Sequence, residues 1–336
     1  METKKLKDDK NGIKTACEIL KNGGIVAVPT ETVYGLAANC YDEDAVKKIF
    51  KAKGRPQDNP LIVHICDMEM LKDIAREIPE IALKCAEKFW PGPFTMILPK
   101  TEKIGDCISP NLDTVAIRLP DNEITAEIIR QSGLPLAAPS ANRSGSPSPT
   151  TPEHVWADLE GRIDAVVYSD ECSVGVESTV VTFCEQPPRL LRPGGITPEQ
   201  LRGVIPDIVL DKAVLAEPEK GKQVASPGMK YKHYAPKTES FLVEGESDAF
   251  SEFVNSKSDS VAICFKEDLE KIKIPTLCYG EAKSEETLAH SVFAALREVD
   301  EMGAKEVYIH APTKTGIGLA VYNRLLRASG FKVITL

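Results

Sequence analysis

The sequence predicts an α/β protein of two units: an N-terminal twisted, open mixed sheet with helices packed around it, and a small C-terminal doubly wound, Rossmann-like domain. Three observations predict it. The 336-residue chain exceeds one typical domain. Short β-branched runs alternate with amphipathic stretches through the first two hundred residues and again from Ser240. Between the two, the apolar period fades into a polar stretch holding Pro218, Gly221, Pro227, Gly228 and Pro236. The units are therefore set at 1–210 and 239–336, with 211–238 as linker.

Taken in order, GGIVAVPTETVYGLA reads as a strand entering a polar turn. YDEDAVKKIFKAKG follows as a helix: Asp42 caps it, Glu43 and Asp44 sit in its positive first turn, and Val46, Ile49 and Phe50 form its apolar stripe. Gly54 and Pro56 then end it. Strands are expected at 61–65, 95–98, 114–118, 136–138, 165–168 and 178–182, and helices near 67–76, 79–89, 122–132 and 152–158. Because the alternation is not strict, a mixed sheet is preferred to a parallel one. The second unit alternates regularly, with strands at 241–243, 260–265, 276–279, 306–310 and 332–336 and helices at about 247–255, 284–302 and 317–328.

Composition excludes several classes. At 42% hydrophobic and 27% charged residues the chain is not disordered. No apolar run approaches a bilayer span, and METKKLKDDK has neither the apolar core of a signal peptide nor the acid-poor character of a transit peptide, so a cytoplasmic protein without membrane association is expected. Nine cysteines form no C-x-x-C pair, which argues against a zinc ribbon or redox dithiol, and no metal site is expected. A net charge of −9 disfavours a dedicated nucleic-acid binder. Two acid-free basic stretches, KKIFKAKGRP at 47–56 and QVASPGMKYKHYAPK at 223–237, instead suit a small anionic ligand.

No P-loop and no G-x-G-x-x-G after the first strand occur, and TKTGIGLA at 313–320 reads as the tight loop that starts the last helix. PTETVYG at 29–35, followed by Lys53, Arg55, Asn59, Pro60 and His64, places hydroxyl, amide and guanidinium groups where they can converge on an anion. Lys47, Lys48 and Lys51 read as a solvated face at the negative end of the helix dipole, whereas Lys53 and Arg55 flank Gly54 at the turn and can enter one pocket. His64, alone in LIVHI, reads first as a satisfied strand residue. The run PLAAPSANRSGSPSPTTPEHV is either a flexible Ser/Pro loop or a cradle whose hydroxyls and backbone N–H groups meet phosphate, and composition does not separate the two. Thr114 to Arg118, Ser178 to Val181 and Leu191 to Gly194 are further candidates, with Arg118 and Arg192 equally readable as surface charges.

The ordered series PTETVYGL, KAKGRPQDNPLIVHI, FWPGPFT, VAIRLP, APSANRSG, ESTVV and LRPG resembles the YrdC/YwlC family of threonylcarbamoyl-adenylate synthases over roughly residues 10–206. SPGMKYKHYAP and the following domain resemble its longer, two-domain members. The resemblance implies a YrdC-like fold and an enzyme acting on L-threonine, bicarbonate or carbon dioxide, and ATP accompanied by Mg2+, feeding a downstream tRNA threonylcarbamoyl transferase. It further implies an L-threonine site at Thr32, His64, Arg118, Ala138 and Ser178. The ATP site falls on Arg55, Asn59, Thr114, Ser140, Ser148 and Arg192, with Tyr234 of the linker folding over the nucleotide as part of a lid. Lys53, Arg55 and Arg192 are the candidates for neutralisation of phosphate charge, Lys53 and Arg55 as the catalytic pair. The alternative is an RNA-binding module without ATP turnover, and weak direct tRNA contact is compatible with either.

Overall fold

Two elements absent from the sequence reading open the chain: β1 (Lys4–Lys7) and α1 (Lys10–Lys21), the latter capped by the Asp9 carboxylate. Only Leu6 of β1 is buried, too little alternation for a pattern to show. The computed structural model describes residues 2–217 and 234–336. GGIVAVPTETVYGLA forms two strands rather than one. β2 (Val26–Val28) and β3 (Gly35–Asn39) pair antiparallel, and PTETVY turns between them. α2 (Glu43–Lys53) begins where the Asp42 carboxylate accepts the Asp44 and Ala45 N–H groups, and ends at Gly54 with φ 63°, a left-handed turn that glycine adopts without penalty.

The remaining elements of the first unit are β4 (Ile62–His64), α3 (Met68–Ile74), α4 (Glu80–Phe89), β5 (Phe94–Pro99), β6 (Thr114–Arg118), α5 (Glu123–Ser132), β7 (Leu136–Ala137), α6 (Pro152–Leu159), β8 (Ala165–Tyr168), β9 (Thr179–Thr182), β10 (Arg189–Arg192), α7 (Pro198–Arg202) and β11 (Val209–Leu210). Among the described residues its strands form one eleven-stranded sheet in the order β1-β8-β2-β3-β7-β4-β6-β5-β9-β10-β11. Parallel pairs (β4 with β6, β5 with β9) mix with antiparallel ones (β5 with β6, β4 with β7), as expected for a mixed sheet.

The second unit comprises β12 (Glu239–Glu244), α8 (Ser247–Asn255), β13 (Ser260–Cys264), β14 (Thr276–Cys278), α9 (Glu285–Glu298), β15 (Glu306–His310), α10 (Gly318–Ala328) and β16 (Val333–Thr335). Its sheet is wholly parallel in the order β14-β13-β15-β12-β16. The Gly-x-Gly loop does start the last helix: Gly316 is left-handed, and the Gly318 N–H is met by the Glu285 carboxylate. Of the expected linker, 218–233 lies outside the described residues, and with it most of SPGMKYKHYAP and its lid reading. Tyr234 and Ala235 are described, and the Ala235 N–H donates to Gly145 O.

The two units share packing. Val33 and Val176 of the first belong to the same apolar cluster as Tyr234, Phe293 and Leu325. A Cβ on Gly175 would lie 2.5 Å from Ala289 O and His290 Cα, so the absence of a side chain there lets the α9 backbone approach. Ion pairs cross the same boundary, among them a half-buried one of Arg297 with Asp158 at 2.8 Å and a buried one of Arg324 with Glu177 at 2.6 Å.

Candidate active site

Paired residues of adjacent strands project from the same face of a sheet, and this rule builds the site's floor. His64 on β4 is in register with Arg118 on β6, which is in register with Thr95 on β5. The Thr95 hydroxyl lies 2.7 Å from that of Ser178, just ahead of β9. Four segments far apart in sequence thereby present an imidazole, a guanidinium and two hydroxyls in one row.

The walls are loops. In PTET, the Thr30 hydroxyl donates to Val33 O and accepts from the Thr32 and Val33 N–H groups, which folds the turn and aims Thr32 at Arg118. Arg118 Nη1 donates to the Thr32 hydroxyl (2.8 Å) and Nε to Gly92 O (3.3 Å). Its Nη2 lies 2.6 Å from a Glu31 carboxylate oxygen, in an ion pair without hydrogen-bond alignment. All three side chains are buried.

Lys53, the last residue of α2, is buried, and its ammonium donates to Ser140 O (2.5 Å), Asn142 O (2.6 Å) and Asn142 Oδ1 (3.3 Å). An ammonium has three N–H groups, and all three are engaged. Lys53 therefore ties down the SAN loop. Burial, and after it the Arg55 guanidinium, pulls the Lys53 pKa well below the usual lysine range. Arg192 on β10 donates through Nε and Nη2 to Ser178 O, and through Nη2 to the Ser178 hydroxyl. Burial lowers it to about 10, so it remains cationic at neutral pH. His64 is pushed down to about 3 by burial and then by Arg118, which leaves a neutral ring, with Nδ1 buried and unbonded.

The pocket is lined by Thr32, Lys53, Arg55, His64, Arg118, Ala138, Ser140, Ser178, Arg192 and Tyr234 among the expected residues. Ser148, Asn59 and Thr114 stand outside this lining. The Ser148 hydroxyl is buried against Glu177 (2.6 Å). Asn59 precedes β4 and Thr114 opens β6, so both lie toward the ends of these parallel strands opposite His64 and Arg118. Asn59 is buried with both polar side-chain atoms unbonded.

Three residues escaped sequence reasoning. Glu177, in the pocket wall, is the one carboxylate among the described lining residues. Burial would raise it, but Arg324, Arg192 and the Ser148 hydroxyl outweigh that and hold it low. An acid directly ahead of the apolar run STVV was the available signal for it. Glu31 behind Arg118, and Arg324 behind Glu177, left no local signal at all. Among the described residues no three of His, Cys, Asp and Glu converge as metal ligands. Glu177 is already committed to Arg324 and Ser148, so the described residues of the pocket offer a divalent cation no carboxylate cage.

Residues 18–194 match the Sua5/YciO/YrdC family, described as telomere recombination, and residues 196–330 match the threonylcarbamoyl-AMP synthase C-terminal domain. The chain is 45% identical over 334 residues to a Pyrococcus abyssi protein named threonylcarbamoyl-AMP synthase, covering 96% of this chain and 95% of the other. It is 44% identical over 330 residues to a Bacillus subtilis protein of the same name, covering 96% and 94%. Among solved structures it resembles P. abyssi Sua5 complexed with L-threonine, with a TM-score of 0.90 and 40% identity over 100% of both chains. A doubly substituted variant of that protein matches with a TM-score of 0.92 at 40% identity, over 99% of this chain and 98% of the other.

Proposed function

The chain belongs to the Sua5/YciO/YrdC family in its two-domain form, and from that footing we propose that its pocket condenses L-threonine, bicarbonate or carbon dioxide, and ATP into threonylcarbamoyl-AMP. The observation that carries the reading is the meeting, in one largely buried pocket, of a carboxylate-binding arginine with a cluster of phosphate-compatible cations and hydroxyls.

The unprotonated threonine amine adds to carbon dioxide, losing a proton, to give a carbamate. With bicarbonate, water leaves instead and no free proton is released. A carbamate oxygen then attacks the α-phosphorus of ATP, and the bond to the bridging oxygen breaks with departure of pyrophosphate. No covalent enzyme intermediate is required, so orientation and charge neutralisation supply the rate, with several kcal/mol available from orientation alone. In this reading Arg118 holds the threonine carboxylate, flanked by Thr32, Ala138 and Ser178. The neutral His64 ring offers a lone pair without adding positive charge beside the amine.

Arg55, Arg192 and the loop bearing Ser140 and Ser148 receive the phosphates, with Lys53 fixing that loop. Asn59 and Thr114 take the far end of the nucleotide, where an unbonded amide suits the donor and acceptor pair of an adenine edge. Tyr234 covers the nucleotide. Mg2+ travels with ATP on phosphate oxygens. The product passes to a separate tRNA threonylcarbamoyl transferase in the cytoplasm, direct tRNA contact being weak. No described helix is long and apolar enough to cross a membrane.

The test is pyrophosphate release by purified protein with Mg-ATP and bicarbonate, with and without L-threonine, and mass spectrometry for the adduct. Threonine-dependent pyrophosphate together with threonylcarbamoyl-AMP is the expected result. Absence of turnover with retained, salt-sensitive RNA binding would overturn the reading in favour of an RNA-binding module.

A further inference from the structure

We propose that Arg324, supplied by the C-terminal domain, is a positioning residue of the nucleotide site, acting by neutralising the Glu177 carboxylate in the pocket wall. This rests on the nucleotide reading given above.

Arg324 lies in α10, has no exposed surface, and among the described residues is the largest side chain so completely enclosed. Its Nε donates to a Glu177 oxygen at 2.6 Å, and the other oxygen of that carboxylate accepts from the Ser148 hydroxyl at 2.6 Å. Its Nη2 donates to Pro193 O at 3.0 Å, one residue beyond Arg192, and its Nη1 is braced by Asn323 Oδ1 at 2.8 Å. The guanidinium carbon also stands 5.6 Å from the centre of the Tyr234 ring. One arginine from the second domain therefore touches, directly or through Glu177, three segments of the pocket: the serine loop, ESTVV and LRPG.

A pocket that admits a triphosphate is an unfavourable place for a carboxylate, because like charges repel strongly where water is scarce. Glu177 faces the pocket and yet carries the hydrogen bond that fixes Ser148. With its charge balanced by Arg324 it performs the second task without opposing the polyanion. Without Arg324 it would lose its hydrogen-bonded counter-ion and compete with the phosphates for the positive field of Arg192. Domain attachment alone is a different role, and the structure separates the two. The Arg297–Asp158 pair also joins the domains but makes no contact with Glu177.

Steady-state kinetics of the full chain distinguish these cases. Arg324→Met should raise KM for ATP at least tenfold while KM for threonine moves less than threefold, and adding Glu177→Gln should bring KM for ATP back within threefold of wild type, since both buried charges then vanish together. Asp158→Asn, which weakens the other interdomain pair while keeping a carbonyl acceptor for the Arg143 N–H, should leave both constants within threefold. An unchanged KM for ATP in Arg324→Met would overturn the proposal. So would a loss spread equally over kcat and both KM values that Glu177→Gln does not relieve. If Arg324→Met fails to fold, the double variant decides alone: KM for ATP within threefold of wild type supports the proposal, and a tenfold rise overturns it. A wild-type chain that makes no threonylcarbamoyl-AMP overturns the nucleotide reading itself, a result distinct from active protein with insensitive variants.

Discussion

His64 offers a direct measurement of how buried the site's floor is. Its ring pairs in register with Arg118 and is held down to about 3 by burial and by that guanidinium. The unfolded chain binds this proton near the ordinary histidine value of about 6.5, so between the two values the unfolded state carries a proton the folded state lacks. Stability due to this group is therefore fully present above about pH 6.5 and is lost as pH falls toward 3. At ~1.36 kcal/mol per pH unit, acidification from about pH 7 to about pH 4.5 should cost ~2.7 kcal/mol through His64 alone. His154, lowered to about 4 by burial and then by Arg297, adds to the same slope in wild type. Replacing His64 by Asn removes only its own share. Urea unfolding of wild type and His64→Asn at both pH values, followed by far-UV circular dichroism, isolates the difference. The variant should lose ~2–3 kcal/mol less than wild type on acidification. Equal losses would mean that the ring titrates near its ordinary value, and the argument for a dry, cationic floor around Arg118 would fall.

Two further outcomes follow from the loops. Lys53→Met keeps the apolar stem but removes the donor from Ser140 O and Asn142 O. At roughly 1–3 kcal/mol for each buried acceptor left without a donor, a loss of about 2–4 kcal/mol is expected after the offset from better burial, together with a raised KM for ATP. A loss below about 0.5 kcal/mol in denaturant unfolding would show that the lysine is not what fixes the SAN loop. Gly194→Ala would place its Cβ 2.3 Å from Glu177 O and Thr179 N, backbone atoms that cannot swing aside. A cost of about 1–3 kcal/mol or more is expected in a thermal melt, with weakened ATP use as Arg192 is displaced from Ser178. Wild-type stability in that variant would contradict the tight seating of LRPG on ESTVV.

Much of this protein was determined by local sequence. α2 is fully specified by Asp42 at its start, Glu43 and Asp44 in its first turn, an apolar stripe and Gly54 at its end, because each of these acts within one or two turns of the chain. β6 and β15 were placed at their observed bounds by apolar period alone. Family membership was likewise legible, since several motifs in a fixed order are carried by the chain itself. What period and capping cannot encode is which distant strands become neighbours. The order that sets β7 between β3 and β4, and β6 between β4 and β5, decides that His64, Arg118, Thr95 and Ser178 share a row. The partners of charged groups were equally invisible. Glu31 looked like a turn residue until it met Arg118, and Lys53 looked like a free cation until three acceptors closed around it. Arg324 sits 147 residues from Glu177 on a helix with an ordinary apolar stripe. Secondary structure arises from interactions a few residues apart, whereas the electrostatics of a buried site depend on which segments packing brings together, and only the tertiary structure supplies that.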